Sequence, residues 1–149
     1  MCHGLPSSGK TTLSKNLLLG HFGSQVYLST DDLLTRSGKY LWSGQTCYLG
    51  HKLLQELFKE AIKLDTGLII IDNTNLKFKD IQVYVENTPS HYEIEVVEPQ
   101  TEWRYNIQEC FKRGSHAVPL ETLQRMLDSK ESRDTIQRKI NEFRKSKVS

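Results

Sequence analysis

Short apolar runs alternate along the chain with longer stretches in which apolar residues recur at helical spacing. The apolar runs, each ending in polar or acidic residues, lie at residues 25–29, 67–71 and 92–97. Runs of this length are typical of buried strands. The run at 67–71 is apolar throughout, which is expected of a central strand in a parallel sheet. The pattern therefore predicts three strands at these positions.

Helical spacing is clearest over residues 47–64, where leucine or alanine recurs every four residues, at Leu49, Leu53, Leu57 and Ala61. Three further helices are predicted, from about residue 76, over residues 102–112 and over residues 120–127. Thr101 stands at the N-cap position of the second of these, Gly114 follows its end, and Pro119 opens the third. Strands that alternate with helices predict an α/β fold with a parallel sheet flanked by helices on both faces.

The length and composition fit one domain that lacks a membrane span. The chain has 149 residues, 37% of them hydrophobic, and no apolar run approaches the length needed to cross a bilayer. The net charge of +2 is too small to indicate nucleic-acid binding by itself. Its three cysteines never form a CxxC pair, and no secretory signal opens the chain. We expect a reducing location, in the cytoplasm or nucleus, with no membrane partner.

The chain changes character near residue 130, which divides it into a predicted domain over residues 1–130 and a basic helix or tail over 131–149. From Arg133 onward most residues are charged or polar. The simpler interpretation is a solvated helix that frays into a disordered tail. The alternative is a basic arm that contacts a phosphate backbone.

A phosphate-binding loop begins at Gly4. The residues Gly4-Leu5-Pro6-Ser7-Ser8-Gly9-Lys10-Thr11 match the P-loop pattern G-x-x-x-x-G-K-[ST] at every fixed position. Backbone N–H groups of such a loop cradle phosphates, and the following helix points its positive end at them. The candidate ATP-binding residues are Gly4, Pro6, Ser7, Ser8, Gly9, Lys10, Thr11 and Thr12. Only three residues precede Gly4. We therefore expect either an unusually short first strand or a chain that is a shortened form of a longer one.

Two candidate catalytic cations and one hydroxyl have roles in phosphate chemistry. Lys10 is placed to reach the β and γ phosphates, and the Thr11 hydroxyl is a candidate ligand of Mg²⁺. Arg113 ends a predicted helix in Lys-Arg-Gly and is a candidate lid arginine that stabilises the transition state. The alternative for Arg113 is a cation that complements the helix C-terminus.

Acidic residues follow the predicted strands, at the sheet edge where ligands bind in open α/β folds. Asp31 is the candidate general base that deprotonates an attacking hydroxyl, while Asp32 is expected to cap the next helix and to lie beside the acceptor. Asp72 either helps hold Mg²⁺ through water or is a turn residue in Asp72-Asn73-Thr74-Asn75.

Five motifs taken in order resemble the polynucleotide-kinase-like P-loop family over residues 1–130. They are GLPSSGKTTL, STDD, IIIDNTNL, EPQTEW and KRGSHAVP. Within the family, the chain is most similar to P-loop domains of proteins that bind Nedd-type ubiquitin ligases. The phage 5′-hydroxyl polynucleotide kinase is more distantly similar, as is the P-loop domain related to myelin cyclic-nucleotide phosphodiesterase.

The resemblance implies a kinase-type parallel sheet and transfer of the ATP γ-phosphate to a 5′-hydroxyl end, with Mg²⁺. It implies that Asp31 is the general base and Arg113 the lid arginine, and that residues 72–75 form the family's Asp-Thr-Asn turn. In the phage pattern an arginine three residues after the base grips the acceptor phosphate, but Leu34 stands there. Arg36 is a candidate substitute, and Asn75 is a further candidate acceptor-binding residue.

The helix at 47–64 departs from the ligase-binding group. It keeps His51 and Gln55, but Leu53, Leu54 and Leu57 replace Trp, Asn and Arg. We expect these leucines to form a buried helix face and His51 to be structural.

Three functions remain open on the sequence alone. The first is an ATP-dependent 5′-hydroxyl polynucleotide kinase, whose partner is single-stranded or end-exposed nucleic acid. The second is a kinase of a nucleoside or another small hydroxyl compound, which the missing arginine favours. The third is a non-catalytic nucleotide-binding module with a protein partner in a larger protein, which the short first strand favours.

Overall fold

The computed structural model describes residues 1–35, 43–114 and 118–148. Two strands and seven helices are assigned within these ranges. They follow the order α1 (Lys10–Leu19), β1 (Gln25–Leu28), α2 (Thr30–Thr35), α3 (Gly44–Lys63), β2 (Leu68–Ile71), α4 (Phe78–Glu86), α5 (Ile107–Arg113), α6 (Leu120–Ser129) and α7 (Arg133–Val148).

The sheet is parallel and short. β1 pairs with β2 in a register that places Gln25 beside Leu68 and Leu28 beside Ile71. Residues 1–3 extend the pairing through a single parallel bridge between Cys2 and Val97. The α/β fold and the very short first strand are therefore confirmed. The strand predicted over residues 92–97 is wrong, since Val97 forms a single bridge with Cys2 and no strand is assigned over that segment.

The main core lies between the sheet and helices α3, α4 and α7. Its buried members include Leu54 and Phe58 of α3, Ile81 of α4 and Ile140 of α7. The ring of Phe58 packs edge-on against Tyr84, with ring centroids 5.1 Å apart. A second, smaller cluster joins the P-loop to α5 and α6 through Leu5, Cys110 and Leu123.

The C-terminal helix α7 belongs to the core, so the expected solvated helix with a disordered tail is wrong. Ile136 and Ile140 are completely buried. Several of its basic side chains are also engaged by the protein itself: Arg144 donates to the carbonyls of Tyr92 and Pro89, and Lys139 pairs with Glu131. These contacts argue against a free basic arm for this part of the helix, and the domain boundary near residue 130 stays a prediction.

One helix boundary and one helix face differ from the sequence predictions. α5 begins at Ile107 with the Asn106 side chain as its cap, so the predicted start at 102 is wrong. The buried residues of α3 include Leu54, Phe58 and Ala61. In the predicted four-residue series only Ala61 is buried, because Leu49, Leu53 and Leu57 are 58%, 50% and 37% exposed. The expectation that all three leucines at 53, 54 and 57 are buried is therefore wrong.

None of the helices in the described ranges is long and apolar enough to span a bilayer.

Candidate functional site

The P-loop contains three residues with positive φ, namely Gly4, Ser7 and Gly9. Gly9 has φ of 111° and Gly4 has φ of 152°, in a region that side chains disfavour, and Ser7 has φ of 63°. A Cβ on Gly9 would lie 2.9 Å from the Thr101 side chain. The Thr101 hydroxyl donates to the Ser8 carbonyl at 2.6 Å. Thr101 therefore braces the loop instead of capping α5.

Lys10 is nearly buried at the start of α1. Its Nζ donates to the Leu5 carbonyl at 2.7 Å, across the loop. Burial lowers the pKa of the Lys10 ammonium, and the nearby charges of Asp72 and Asp31 oppose that shift. A buried cation that is held mainly by backbone is well prepared for an anion, because a bound phosphate would offset the desolvation.

Asp72 follows β2 and is held by two hydroxyl groups. The Tyr27 hydroxyl donates to Asp72 Oδ2 at 2.5 Å, and the Ser14 hydroxyl donates to the same oxygen at 3.3 Å. Ser14 also contacts the Cys2 thiol at 3.1 Å. Burial raises the pKa of Tyr27, and the hydrogen bond to Asp72 raises it further, so Tyr27 remains a donor. Sequence reasoning missed Tyr27, although its place in β1 before the acidic pair was a usable signal.

A cleft of about 720 Å³ brings most of the predicted site residues together. The predicted residues that line it are Pro6, Ser7, Lys10, Thr11, Asp31, Asp32 and Asp72. Gly4, Ser8, Gly9 and Thr12 belong to the loop or to α1 without lining the cleft. Arg36 lies outside the described residues, so its role stays a prediction.

The acidic pair stands in the first turn of α2, at the mouth of the cleft. The Ser29 hydroxyl accepts from the Asp32 backbone N–H at 3.3 Å, so Ser29, and not Asp32, supplies the cap. The Thr30 N–H donates to the Asn73 side chain at 3.1 Å, which ties α2 to the turn after β2. The Thr30 hydroxyl also contacts His51 of α3 at 3.3 Å. These bonds set the position of Asp31 relative to Asp72.

Arg113 ends α5, and its side chain lies on a ring that contacts the P-loop. The guanidinium carbon is 3.7 Å from the centroid of Trp103, and Nε is 3.6 Å from a Glu109 carboxylate oxygen. Trp103 in turn donates from its indole N–H to the Ser7 carbonyl at 3.1 Å. Arg113 does not line the cleft in this arrangement, although the adjacent Gly114 does.

Asn75 is not brought into the cleft. It is buried with φ of 45°, and its amide donates to the carbonyls of Cys2 at 2.7 Å and Ile71 at 3.4 Å. His3 contacts the Asn75 carbonyl at 2.8 Å. This placement favours a structural role for Asn75, which ties the first residues of the chain to the end of β2.

The far wall of the cleft is largely apolar and comes from α5, α6 and the residues before α6. It is formed by Phe111, Val118, Pro119, Leu123 and Met126. Sequence reasoning did not identify this wall, because its residues follow ordinary helical spacing. The cleft therefore has two unlike sides. The P-loop side is polar and suits phosphate, and the far wall is apolar and suits a flat or aliphatic group.

The residues present suit Mg²⁺ held together with phosphate. The Thr11 hydroxyl and the Asp72 carboxylate line the same cleft and are oxygen ligands of the kind that Mg²⁺ prefers. Within the described ranges, no group of three or more His, Cys, Asp or Glu could hold a metal ion. Mg²⁺ commonly takes one or two protein ligands plus substrate phosphates, so this sparse set fits that ion.

Comparisons with known proteins agree with the fold and the loop. NEDD4-binding protein 2 of Homo sapiens is 37% identical over 131 residues, which are 86% of this chain but 7% of that protein's length. A chain of the Pnkp1/Rnl/Hen1 RNA repair complex is 19% identical, with a TM-score of 0.67 over 93% of this chain and 44% of its own. A second chain, from a Pnkp1/Rnl/Hen1 complex, is 23% identical, with a TM-score of 0.59 over 79% and 38% of the two chains.

The two solved structures support the fold alone, since their identities are low, and the chain spans only a small part of its human relative. A family profile described as an AAA domain matches residues 1–132, most of the chain. The chain therefore belongs to this AAA domain family of P-loop, kinase-like proteins.

Proposed function

We propose that the chain is an ATP- and Mg²⁺-dependent phosphotransferase whose acceptor is the 5′-hydroxyl end of a polynucleotide. The observation that carries the proposal is that Lys10, Thr11, Asp31 and Asp72 share one cleft. Its volume of about 720 Å³ is in the range of sites that bind compounds of nucleotide size.

The residues divide the reaction between them. Lys10 and the amides of the P-loop bind the β and γ phosphates. Thr11 and Asp72 would hold Mg²⁺, which would supply positive charge beside the transferring phosphoryl group. Asp31 accepts the proton of the acceptor hydroxyl, whose oxygen forms a bond to the γ phosphorus as the bond to the ADP oxygen breaks. Arg113 supplies positive charge over the transferring phosphoryl group once its side chain leaves Trp103.

The test compares acceptors in one assay with γ-labelled ATP. DNA and RNA oligonucleotides with 5′-hydroxyl ends should become labelled, while the same oligonucleotides with 5′-phosphate ends serve as the matched negative controls. Absence of transfer to every 5′-hydroxyl oligonucleotide, in a protein that still binds ATP, would contradict the proposal.

Two variants separate binding from chemistry. Lys10→Ala should remove both ATP binding and transfer, because the buried ammonium is the cation of the phosphate cradle. Asp31→Asn should retain ATP binding, measured by calorimetry, and lose transfer. Asp134→Asn is a suitable control, since the Asp134 side chain is 90% exposed and lies on α7, away from the cleft.

A second candidate acceptor is a nucleoside or another small hydroxyl compound. Leu34 in place of the acceptor-gripping arginine and the apolar far wall with Val118 and Met126 favour it. Faster transfer to nucleosides than to oligonucleotides would select this acceptor.

A non-catalytic interaction module is the remaining candidate. It is favoured by the similarity to a relative described as a binding protein and by the position of Arg113 on Trp103. ATP binding without turnover, unchanged by Asp31→Asn, would select this function. For each of these three functions we propose a reducing intracellular location, in which the three free cysteines remain thiols.

A further inference from the structure

The peptide group between Ser7 and Ser8 is hydrogen-bonded on both of its polar sides. Its N–H, which belongs to Ser8, donates to the Leu5 carbonyl at 3.2 Å. Its carbonyl, which belongs to Ser7, accepts from the indole N–H of Trp103 at 3.1 Å. The Leu5 carbonyl accepts a second bond, from Lys10 Nζ at 2.7 Å. One peptide group therefore connects an ammonium group that lines the cleft with an aromatic ring that does not.

The Trp103 ring is a fixed support for the Arg113 guanidinium. The ring packs against the apolar cluster that contains Leu5 and Cys110. The guanidinium carbon lies 3.7 Å from the ring centroid, well within the distance of about 6 Å at which an aromatic face attracts a cation. Glu109 adds an ion pair, with 3.6 Å between its carboxylate oxygen and Arg113 Nε. Because the Arg113 side chain is 48% exposed, water screens this ion pair and a phosphate can compete with it.

The backbone next to Arg113 already lies at the cleft. Gly114 lines the cleft, and a Cβ on Gly114 would lie 3.3 Å from Ser7 Oγ, so the end of α5 packs closely on the P-loop. The Arg113 side chain does not line the cleft, because it is turned onto Trp103. Rotation of this one side chain, without movement of α5, therefore suffices to change where its charge lies.

We propose that Trp103 is a positioning residue, which keeps Arg113 outside the cleft while the P-loop is empty and releases it when the γ phosphate of ATP binds. This role rests on the proposed binding of ATP at the P-loop. The γ phosphate attracts Arg113 more strongly than an aromatic face and one screened carboxylate do, because it carries more negative charge. It also draws Lys10 from the Leu5 carbonyl, which changes the bonding of the peptide group that Trp103 supports. ADP lacks the γ phosphate and leaves Arg113 on the ring.

NMR of the isotope-labelled chain tests the contact and its release. The Nε–H proton of Arg113, assigned by its loss in Arg113→Lys, should resonate upfield of that of Arg138, because it lies over an aromatic face. A non-hydrolysable ATP analogue with Mg²⁺ should move it downfield, whereas ADP with Mg²⁺ should leave it nearly in place. Arg138 is the control, since its side chain is 61% exposed and lies on α7. An Arg113 resonance unchanged by bound analogue would overturn the proposal.

Two substitutions separate the Trp103 ring from its N–H group. Trp103→Phe and Trp103→Leu both remove the bond to Ser7, but only Trp103→Phe keeps an aromatic face for Arg113. Without that face, no attraction is lost when the γ phosphate draws Arg113 away. The preference for the ATP analogue over ADP, measured by calorimetry, should therefore be about two- to fivefold greater in Trp103→Leu than in Trp103→Phe. Equal preferences would contradict the proposal, because a ring that only packs affects both nucleotides alike.

The same two substitutions in an Arg113→Ala background are the matched control. With no guanidinium on the ring, the two chains should prefer the analogue equally, and a difference that persists there would overturn the role of Trp103. The assay with γ-labelled ATP tests the proposed kinase activity separately. Release of Arg113 without labelling of any acceptor would support the role of Trp103 and contradict the kinase activity, and labelling without release would do the reverse.

Discussion

The Tyr27 hydroxyl and the Asp72 carboxylate join the ends of the two strands across the floor of the cleft, with 2.5 Å between the two oxygens. The second donor to the same oxygen, Ser14, comes from α1 directly behind the P-loop. Asp72 is therefore held from β1 and from α1 at once. A carboxylate fixed in this way keeps its orientation toward a metal ion without rearrangement.

Tyr27→Phe should lower the apparent affinity for Mg²⁺ while changing the stability of the fold only slightly. The change removes the donor at 2.5 Å and leaves Asp72 with Ser14 as its hydroxyl donor among the contacts described above. We expect the Mg²⁺ concentration that gives half-maximal binding of an ATP analogue to rise by a factor of about 10, in line with the loss of other groups that orient metal ligands. Calorimetric titration of the ATP analogue at several Mg²⁺ concentrations measures this half-maximal concentration.

Tyr92→Phe is the matched control for Tyr27→Phe. The Tyr92 hydroxyl also makes one hydrogen bond, to the Thr66 carbonyl at 2.9 Å, but it does not line the cleft. Its loss should change stability by about 1 kcal/mol and leave the Mg²⁺ dependence unchanged. An equal shift in Mg²⁺ dependence in both variants would mean that Tyr27 does not position Asp72.

Arg113→Ala should lower the rate of phosphoryl transfer while ATP binding stays within about threefold of the original, because a lid arginine acts mainly on the transition state. We expect the rate constant to fall by a factor of at least about 10³. Single-turnover kinetics with γ-labelled ATP separates the rate from binding.

Lys112→Ala is the neighbouring control for Arg113→Ala. The Lys112 side chain is 73% exposed, and its Nζ lies 3.6 Å from a Glu109 carboxylate oxygen. It is Arg113, and not Lys112, that packs on the Trp103 ring. Its removal should leave the transfer rate nearly unchanged. Similar losses for the two variants would show that Arg113 contributes only the general positive charge of the end of α5.

The P-loop and the α/β fold could be predicted from the sequence because both depend on local patterns. Gly4, Gly9 and Lys10 stand at fixed spacings, and the strand at residues 68–71 is a continuous apolar run. The segment at residues 92–97 has a similar apolar pattern but forms only a bridge, because a strand also requires a partner along its length. An apolar pattern within one segment does not show which residues of another segment lie beside it.

The rest of the site depends on contacts between residues far apart in the chain. Tyr27 and Asp72 are separated by 45 positions, and Trp103 reaches the carbonyl of Ser7 across 96 positions.

The packing of α7 into the core was also not predicted from the sequence. Its two buried residues, Ile136 and Ile140, are outnumbered by charged neighbours, so the average polarity of the helix hides a narrow apolar face.

His3 should make stability depend on pH below neutrality. Burial lowers the pKa of the His3 imidazole, so the unfolded chain takes up this proton at a higher pH than the folded chain does. The free energy of unfolding should therefore fall as pH drops below about 6.5 and stop falling, for this group, once the folded imidazole is also protonated. The chain should therefore be less stable at pH 5.5 than at pH 7.5.

Urea unfolding at the two pH values checks the His3 prediction, with His3→Asn as the test variant. That change should remove the His3 contribution and give a smaller loss of stability on acidification than the original chain shows. His91→Asn is the control, because the His91 side chain is 64% exposed and should leave most of the pH dependence in place. If His3→Asn and the original chain lose equal stability, the imidazole is not held neutral by burial.

Ile140→Ala should destabilise the protein strongly if α7 is part of the core. Ile140 is completely buried and packs in the same cluster as Phe58 and Ile81, so the change removes apolar contacts and leaves a cavity. We expect the free energy of unfolding to fall by about 2–5 kcal/mol, measured by urea denaturation. Val148→Ala, at an 80% exposed position of the same helix, should change it by less than about 0.5 kcal/mol. A decrease in the free energy of unfolding below about 1 kcal/mol for Ile140→Ala would mean that the helix does not pack as described, because truncation of a buried isoleucine to alanine typically lowers stability by about 2–5 kcal/mol.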